Sequence, residues 1–228
     1  MTGPPLKGFP PMTAQAPALS VDAIDAALAA ATPGLDEGGR RLAAAVLRLL
    51  AAGEPVSVPA AAAAAGVPAS RAGPLLRSWP GVFWDDRGQV TGFWGLALAP
   101  MPHRIRRGIT DLHAWCAFDP LFLARVIGGL QVTTADPVTS ETIAYHIGDD
   151  GTVSGASHPR AVLSFLRPSQ PWDDNVMTTF CHYVWHFTSP ATARRWTATH
   201  PGTFVLSLED AAELARRHAA RAFGVTSA

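Results

Sequence analysis

The sequence is poor in cysteine, in net charge and in long apolar runs. Lys and Arg together number 18 and so do Asp and Glu, which leaves a formal net charge of zero. Binding to phosphates requires a field of positive charge, so nucleic acid and anionic membrane surfaces are disfavoured as main partners. No apolar stretch approaches the roughly 20 residues of a membrane-spanning helix. Only two cysteines, Cys116 and Cys181, are present among 228 residues.

The N-terminal segment, residues 1–19, is rich in proline and small residues and lacks the continuous apolar run of a signal peptide. We therefore predict a flexible lead-in over residues 1–19 and a cytoplasmic protein whose thiols stay reduced. Two cysteines in that compartment are more often free or metal-binding than joined in a structural disulfide. Each is also compatible with an inert role as a small buried hydrophobic residue.

Apolar residues are plentiful, at 48% of the chain, so a sizeable core can form. Residues 20–98 show the order helix, helix, short helix–turn–helix and two β runs. The β runs flank Asp85-Asp86-Arg87-Gly88, which is a typical hairpin turn. This order predicts a winged-helix-like domain over residues 20–98.

Residues 99–228 mix strands and helices without the regular alternation of βαβ units. After Pro102, a hairpin around Gly108 is predicted to lead into an apolar helix that begins near Pro120. Further strands are predicted at residues 130–134, 141–147, 161–166, 180–187 and 203–206, and helices begin after Ser189 and Ser207. The predicted fold class is α+β, with the winged-helix-like domain followed by a mixed-sheet α+β domain over residues 99–228.

A winged helix often binds DNA through its recognition helix, which here would cover residues 69–78. That helix offers Arg71 and Arg77 as its long polar side chains and contains Pro74. Reading base edges requires several side chains that form paired hydrogen bonds from one face. A packing module is therefore favoured, with a metal-responsive DNA-binding regulator as an alternative.

Cys116 and Asp119 are three residues apart and can share one face of a turn. In that arrangement the carboxylate can exchange a proton with the thiol. An Asp that precedes Pro120 is also a common helix N-cap, and helix N–H groups make a carboxylate a poorer proton acceptor. From these residues alone, the cap is the favoured interpretation.

Cys181 lies in an apolar run with His182 and His186, and His113 precedes Cys116 by three residues. Zinc binds thiolate and imidazole together, so a zinc site is an alternative. Adjacent residues of a strand face opposite sides, however, so Cys181 and His182 do not readily share one ion. The favoured interpretation is that these histidines are core or surface residues with ordinary hydrogen-bond partners.

Three aromatic residues flank the two cysteines: Trp115, Phe118 and Phe180. They are most simply core residues, but they also suit a pocket wall that holds an organic group and excludes water. Two soft thiols and one acid are the right groups to capture a soft metal and to protonate something bound to it.

These segments resemble the bacterial organomercurial (alkylmercury) lyases over roughly residues 100–215. The resemblance is carried by His103-Arg104, Leu112, Trp115-Cys116-Ala117-Phe118-Asp119 before an apolar helix, Phe180-Cys181, the segment from Ser189 to Trp196, and Val205-Leu206-Ser207. It implies an alkylmercury-lyase-type catalytic domain over residues 99–228, and the winged-helix outline agrees with that family's architecture.

The resemblance implies protonolysis of a carbon–mercury bond, which releases a hydrocarbon and Hg(II). By this resemblance Cys116 and Cys181 bind the mercury and Asp119 relays the proton. No cofactor is implied, because the metal belongs to the substrate. The expected partner is a small organomercurial, and the Hg(II) is expected to pass to small thiols or to mercuric reductase.

The sequence departs from the family at two places. His182 stands where many members carry a second, adjacent cysteine, and residues 131–138 lack a cysteine that familiar members have in their middle strands. Neither position is among the family's essential residues. A thiol trap that binds Hg(II) or Cu(I) without breaking a bond is a further alternative.

Overall fold

Four helices open the part of the chain that the computed structural model describes, residues 20–225. They are α1 (Val21–Ala31), α2 (Glu37–Leu50), α3 (Val58–Ala65) and α4 (Ala69–Ser78). The side chains of Ser20, Asp36 and Ser57 accept hydrogen bonds from backbone N–H groups in the first turns of α1, α2 and α3, which is why these helices begin there. The predicted lead-in, residues 1–19, lies outside the described residues.

An eight-stranded sheet follows, with the strand order β1-β2-β3-β5-β4-β6-β7-β8. Its members are β1 (Val82–Trp84), β2 (Val90–Phe93), β3 (Leu96–Ala97), β4 (His103–Arg107), β5 (Thr110–Ala114), β6 (Leu130–Ala135), β7 (Thr142–Ile147) and β8 (Val153–Ser154). The predicted hairpins β1–β2 and β4–β5 are confirmed. Every pair in this sheet is antiparallel, so the prediction of a mixed sheet is wrong. The one long connection, which contains α5, leads from β5 to β6, and these strands are separated in the sheet by β4, which pairs antiparallel with both.

A three-stranded antiparallel sheet and four more helices complete the fold. The strands are β9 (Val162–Leu166), β10 (His186–Phe187) and β11 (Thr203–Ser207), in the order β10-β9-β11. The helices are α5 (Asp119–Ile127), α6 (Val176–Thr179), α7 (Pro190–Thr197) and α8 (Leu208–Phe223). The α+β fold class is confirmed. No helix of the described residues is long and apolar enough to cross a membrane.

Helix α5 is buried along its whole length. It contacts the helices α2 and α8 and the strands β6 and β7, which explains why its sequence is almost entirely apolar. Because burial on all sides fixes a helix firmly, the first residue of α5 is held in a defined position relative to both helices and the sheet.

Strands from both predicted domains belong to one sheet. β3, which precedes residue 98, pairs with β2 on one side and with β5 on the other. One core cluster includes Leu47 of α2 together with Leu123 of α5. The boundary between residues 98 and 99 and the winged-helix assignment remain predictions.

Candidate active site

Cys116 lies in the short link between β5 and α5. It is fully buried. The backbone on either side is anchored, since the Trp115 N–H donates to the Gly95 carbonyl at 3.0 Å and the Ala117 N–H donates to the Val184 carbonyl at 3.0 Å. The second of these bonds ties the Cys116 link to the segment that carries Cys181.

Asp119 is the first residue of α5, and its side chain turns back towards the preceding link. Its Oδ2 atom accepts a hydrogen bond from the Cys116 backbone N–H at 2.7 Å. Phe118 occupies the N-cap position and makes no side-chain cap, so the interpretation of Asp119 as the helix cap is wrong. Helical Cα–Cβ bonds tilt towards the N-terminus, which directs this carboxyl to the cysteine three residues earlier.

Cys181 begins a single 3-10 turn, Cys181–Tyr183, that follows α6. The predicted strand over residues 180–187 is therefore wrong, and only His186–Phe187 pairs as a strand. The Ser164 side chain bonds the backbone on both sides of Val184, donating to the Tyr183 carbonyl at 2.8 Å and accepting from the Trp185 N–H at 3.0 Å. These bonds stabilise the irregular backbone of a segment that was predicted to be a regular strand.

The fold brings Cys116, Asp119 and Cys181 together. Their two sulfur atoms and one carboxylate oxygen all lie within 4.8 Å of one another, and all three residues are buried. Both cysteines are free thiols. Two thiols and a carboxyl at this spacing can bind one soft metal ion and exchange a proton.

The histidines of the zinc alternative lie away from this cluster. The Nδ1 atom of His113 is 3.2 Å from the Met101 carbonyl oxygen, and the Nε2 atom of His186 is 2.6 Å from the Tyr145 hydroxyl. His182 is exposed. Among the described residues, the group with metal-binding spacing contains no histidine, so the structure does not support a zinc site.

Burial dominates the protonation of the three groups. It raises the pKa of Asp119 to about 7, against the opposing hydrogen bond from the Cys116 N–H. It also raises the pKa of Cys116 well above its usual value, with further contributions from the hydrogen bond to Cys181 and from the charge of Asp119. For Cys181, the hydrogen bond with Cys116 lowers the pKa, but burial and Asp119 raise it and the net shift is upward.

These shifts describe a site that holds protons until a cation enters. Near neutral pH, without a bound cation, both thiols are protonated and Asp119 is close to half ionised. A cation bound at the sulfur atoms replaces the thiol protons, because its charge compensates the burial of the thiolates. The nearby carboxylate is then the natural acceptor of a released proton.

An aromatic cavity opens beside the cluster. Cys181 and Asp119 line it, and the remaining wall is largely apolar, formed by Pro33, Pro80, Gly81, Trp94, Gly95, Trp115, Phe118, Phe122, Trp172, Val176, Phe180 and His218. The empty space between these side chains is about 520 Å³, counting the part that is open to solvent. The three aromatic residues named from the sequence all lie in this wall.

Several residues of the wall were missed from the sequence. Trp94 and Gly95 come from the turn between β2 and β3, and His218 comes from α8. Nothing in the local sequence of that turn points to the cysteines. His218 offered a weak signal, since it lies on the apolar face of α8 between Leu214 and Ala222.

Comparison of this chain with known proteins identifies the family to which it belongs. The family model described as alkylmercury lyase matches residues 96–220. The alkylmercury lyase of Staphylococcus epidermidis is 37% identical over 178 residues, which are 77% of this chain and 80% of that protein. The enzyme of the same name from Streptomyces lividans is 31% identical over 172 residues, covering 75% and 78%. The chain belongs to the alkylmercury lyase family.

A solved structure agrees with the fold of this alkylmercury lyase. The crystal structure of the mercury-bound form of MerB2 superposes with a TM-score of 0.67 at 17% identity, covering 87% of this chain and 97% of that chain. The matched range of the family model contains Cys116, Asp119 and Cys181. Membership of an enzyme family favours catalysis over the regulator and thiol-trap alternatives.

Proposed function

We propose that this alkylmercury lyase cleaves the carbon–mercury bond of small organomercurials by protonolysis, giving a hydrocarbon and Hg(II). One observation carries the proposal: two buried thiols and one buried carboxyl lie within 4.8 Å of one another, at the wall of an aromatic cavity. Cys116, Cys181 and Asp119 are the proposed catalytic residues, and Trp115, Phe118 and Phe180 are proposed to contact the organic group.

The first step is capture of the mercurial by a thiol. Cys181 lines the cavity, whereas Cys116 is fully buried behind it, so an entering R–Hg–X meets Cys181 first. A sulfur–mercury bond forms, the mercury–X bond breaks, and the thiol proton leaves with X. Thiolate is the soft ligand that mercury prefers.

The second step moves a proton to Asp119. As the Cys116 sulfur bonds to the same mercury, its proton passes to the neighbouring carboxylate. A carboxyl whose pKa burial raises to about 7 both accepts and returns a proton near neutral pH. The second thiolate pushes electron density towards the carbon and weakens the carbon–mercury bond.

The third step breaks the bond. Asp119 donates its proton to the carbon, the electron pair of the carbon–mercury bond becomes the new carbon–hydrogen bond, and Hg(II) stays on the two thiolates. The aromatic wall keeps water away from the carboxyl and the bound metal. Small thiols or mercuric reductase then take the Hg(II), in a cytoplasm that keeps both cysteines reduced.

The N-terminal elements have a structural part in this proposal. Residues 20–98 form a winged-helix-like unit whose helices α3 and α4 precede the β1–β2 hairpin. Its recognition helix, α4, has few long polar side chains that could contact DNA bases. Its β2–β3 turn supplies Trp94 and Gly95 to the cavity wall. We therefore assign this unit to packing over the active site and not to DNA binding.

Catalytic turnover with phenylmercuric acetate tests the proposal. The reduced protein is incubated with this compound and an excess of small thiol, and benzene is measured by headspace gas chromatography. Many equivalents of benzene are expected, with a loss of at least about 100-fold in Cys116→Ser and in Cys181→Ser. Stoichiometric binding of mercury without benzene would instead identify a thiol trap.

A further inference from the structure

His218 is a polar residue in the wall of the aromatic cavity. It is 3% exposed, and aromatic rings surround it. Its ring centroid lies 4.9 Å from that of Phe122, 6.1 Å from that of Phe118 and 6.0 Å from that of Trp172. All four residues line the cavity that also contains Asp119.

Three nitrogen atoms of this wall have no hydrogen-bond partner among the described residues. They are Nδ1 of His218, Nε1 of Trp172 and Nε1 of Trp115, and all three are buried. Buried polar atoms are nearly always paired, and an unpaired one costs about 1–3 kcal/mol. Three such atoms around one cavity leave a capacity for hydrogen bonding that a bound group can use.

The charges around the cavity restrict the kind of ligand. Burial lowers the pKa of His218 to about 4, with a further decrease from Arg221 and an opposing effect of Asp25, so the imidazole is neutral near pH 7. Arg221 is paired with Asp25 at 2.7 Å. The described residues that line the cavity include no Lys or Arg, and an anionic group there would lie close to Asp119, which makes an uncharged group the better fit.

A hydroxyl group can bind these nitrogen atoms because it both donates and accepts hydrogen bonds. Indole N–H groups only donate hydrogen bonds, while a neutral imidazole has one donor and one acceptor nitrogen. A hydroxyl accepts from Trp172 and can donate to or accept from His218, whichever nitrogen carries the proton. An ether or a halogen meets fewer of these requirements.

We propose that His218, together with Trp172, binds a hydroxyl group on the organic part of the substrate. The enzyme would then favour hydroxyl-bearing aryl mercurials over unsubstituted ones. This inference rests on the proposed function, because a mercury held by Cys116 and Cys181 beside Asp119 directs its organic group into the cavity. His218 is then a specificity residue for the leaving hydrocarbon.

The test compares phenylmercuric ion with its three hydroxyphenyl isomers. Benzene and phenol are measured, and kcat/KM for each isomer is divided by kcat/KM for the phenyl compound. In His218→Phe, we expect this ratio to fall about tenfold for at least one isomer, which corresponds to one lost hydrogen bond. Comparing ratios between variants removes the intrinsic effect of a hydroxyl group on the carbon–mercury bond.

Three further variants make the result specific. His218→Asn keeps a hydrogen-bonding group near the Nδ1 position and should restore most of the ratio. Trp172→Phe keeps a ring and removes the N–H, so the ratio should fall for the same isomer, even if His218→Phe fails to fold. His200→Phe is the control, because His200 stacks on Trp196 and lies outside the cavity wall.

The outcomes separate this inference from the proposed function. Benzene release by the native enzyme with ratios that stay within twofold in His218→Phe and Trp172→Phe would overturn the role of His218. A fall that His218→Asn does not restore would also overturn it, since loss of packing would then explain the change. Absence of both benzene and phenol with the native enzyme would contradict the proposed function itself.

Discussion

Gly95 lies directly against the Asp119 carboxyl. A Cβ atom added to Gly95 would be 2.7 Å from Cγ and 2.8 Å from Oδ1 of Asp119, and the φ angle of Gly95 is +94°. Real Cβ atoms do not approach other atoms so closely, so no other residue fits here without moving the carboxyl. The β2–β3 turn, which contains Gly95, therefore sets the position of the proposed proton donor.

Gly95→Ala should consequently impair the chemistry more than the fold. Gly88→Ala is the matched control, since Gly88 has a φ of +72° in the β1–β2 turn and a Cβ there meets nothing within 4 Å. The left-handed backbone should cost each variant about 1 kcal/mol of stability, and Gly95→Ala should lose more than Gly88→Ala because the Asp119 carboxyl must move. We expect kcat for benzene release to fall about tenfold or more in Gly95→Ala alone.

Thermal unfolding and kcat measured on both variants check this expectation. Equal activity of the two variants would show that Asp119 tolerates displacement. That result would contradict the positioning role of Gly95.

The pH dependence of kcat/KM should report the ionisation of Asp119. The proposed second step needs the carboxylate as the acceptor of a thiol proton, and burial raises the pKa of this group to about 7. We therefore expect kcat/KM to rise with pH through about 7 and then to level off. A profile that is flat between pH 5 and 9 would exclude Asp119 as the acceptor.

The same shift predicts a pH-dependent cost in stability. Asp119 binds its proton more tightly in the folded protein than its usual pKa of 3.8 allows. Its contribution is therefore fully favourable below about pH 4 and is lost as the pH rises to about 7, by at most about 4 kcal/mol.

Asp119→Asn removes this titration and supplies the comparison. Its free energy of unfolding should exceed that of the native protein at pH 8 and approach it at pH 4. Urea unfolding at the two pH values measures the difference. A difference independent of pH would mean that Asp119 is not shifted upward in the folded state.

The local features of the fold could be predicted from the sequence. Helix caps such as Ser20 and Ser189 and the turn Asp85-Asp86-Arg87-Gly88 act through neighbouring residues, so their effects can be read from the sequence alone. The same holds for the order of Cys116, Asp119 and Cys181, whose local settings carried the resemblance to the family. That these three side chains meet, however, depends on packing between distant elements.

Other features depend on contacts that the sequence does not display. An Asp before a proline has the same local pattern whether it caps a helix or turns back to Cys116. The close approach of Gly95 to the Asp119 carboxyl cannot be read from that pattern. Short apolar runs are ambiguous between strand and helix. After Cys181, the backbone of Tyr183 and Trp185 is bound by the side chain of Ser164, a contact between distant residues that the sequence does not display. The cavity wall joins residues that are more than 100 positions apart, such as Trp94 and His218.

The central claim is that Asp119 delivers a proton to the carbon of a mercurial held by Cys116 and Cys181. Its most direct test is a single turnover of bound phenylmercury by Asp119→Asn and by the native protein, both in D₂O. Asn keeps the acceptor for the Cys116 N–H but cannot carry the proton. The account predicts singly deuterated benzene from the native protein, and intact phenylmercury on the thiols of Asp119→Asn. Benzene from Asp119→Asn at the native rate would contradict it.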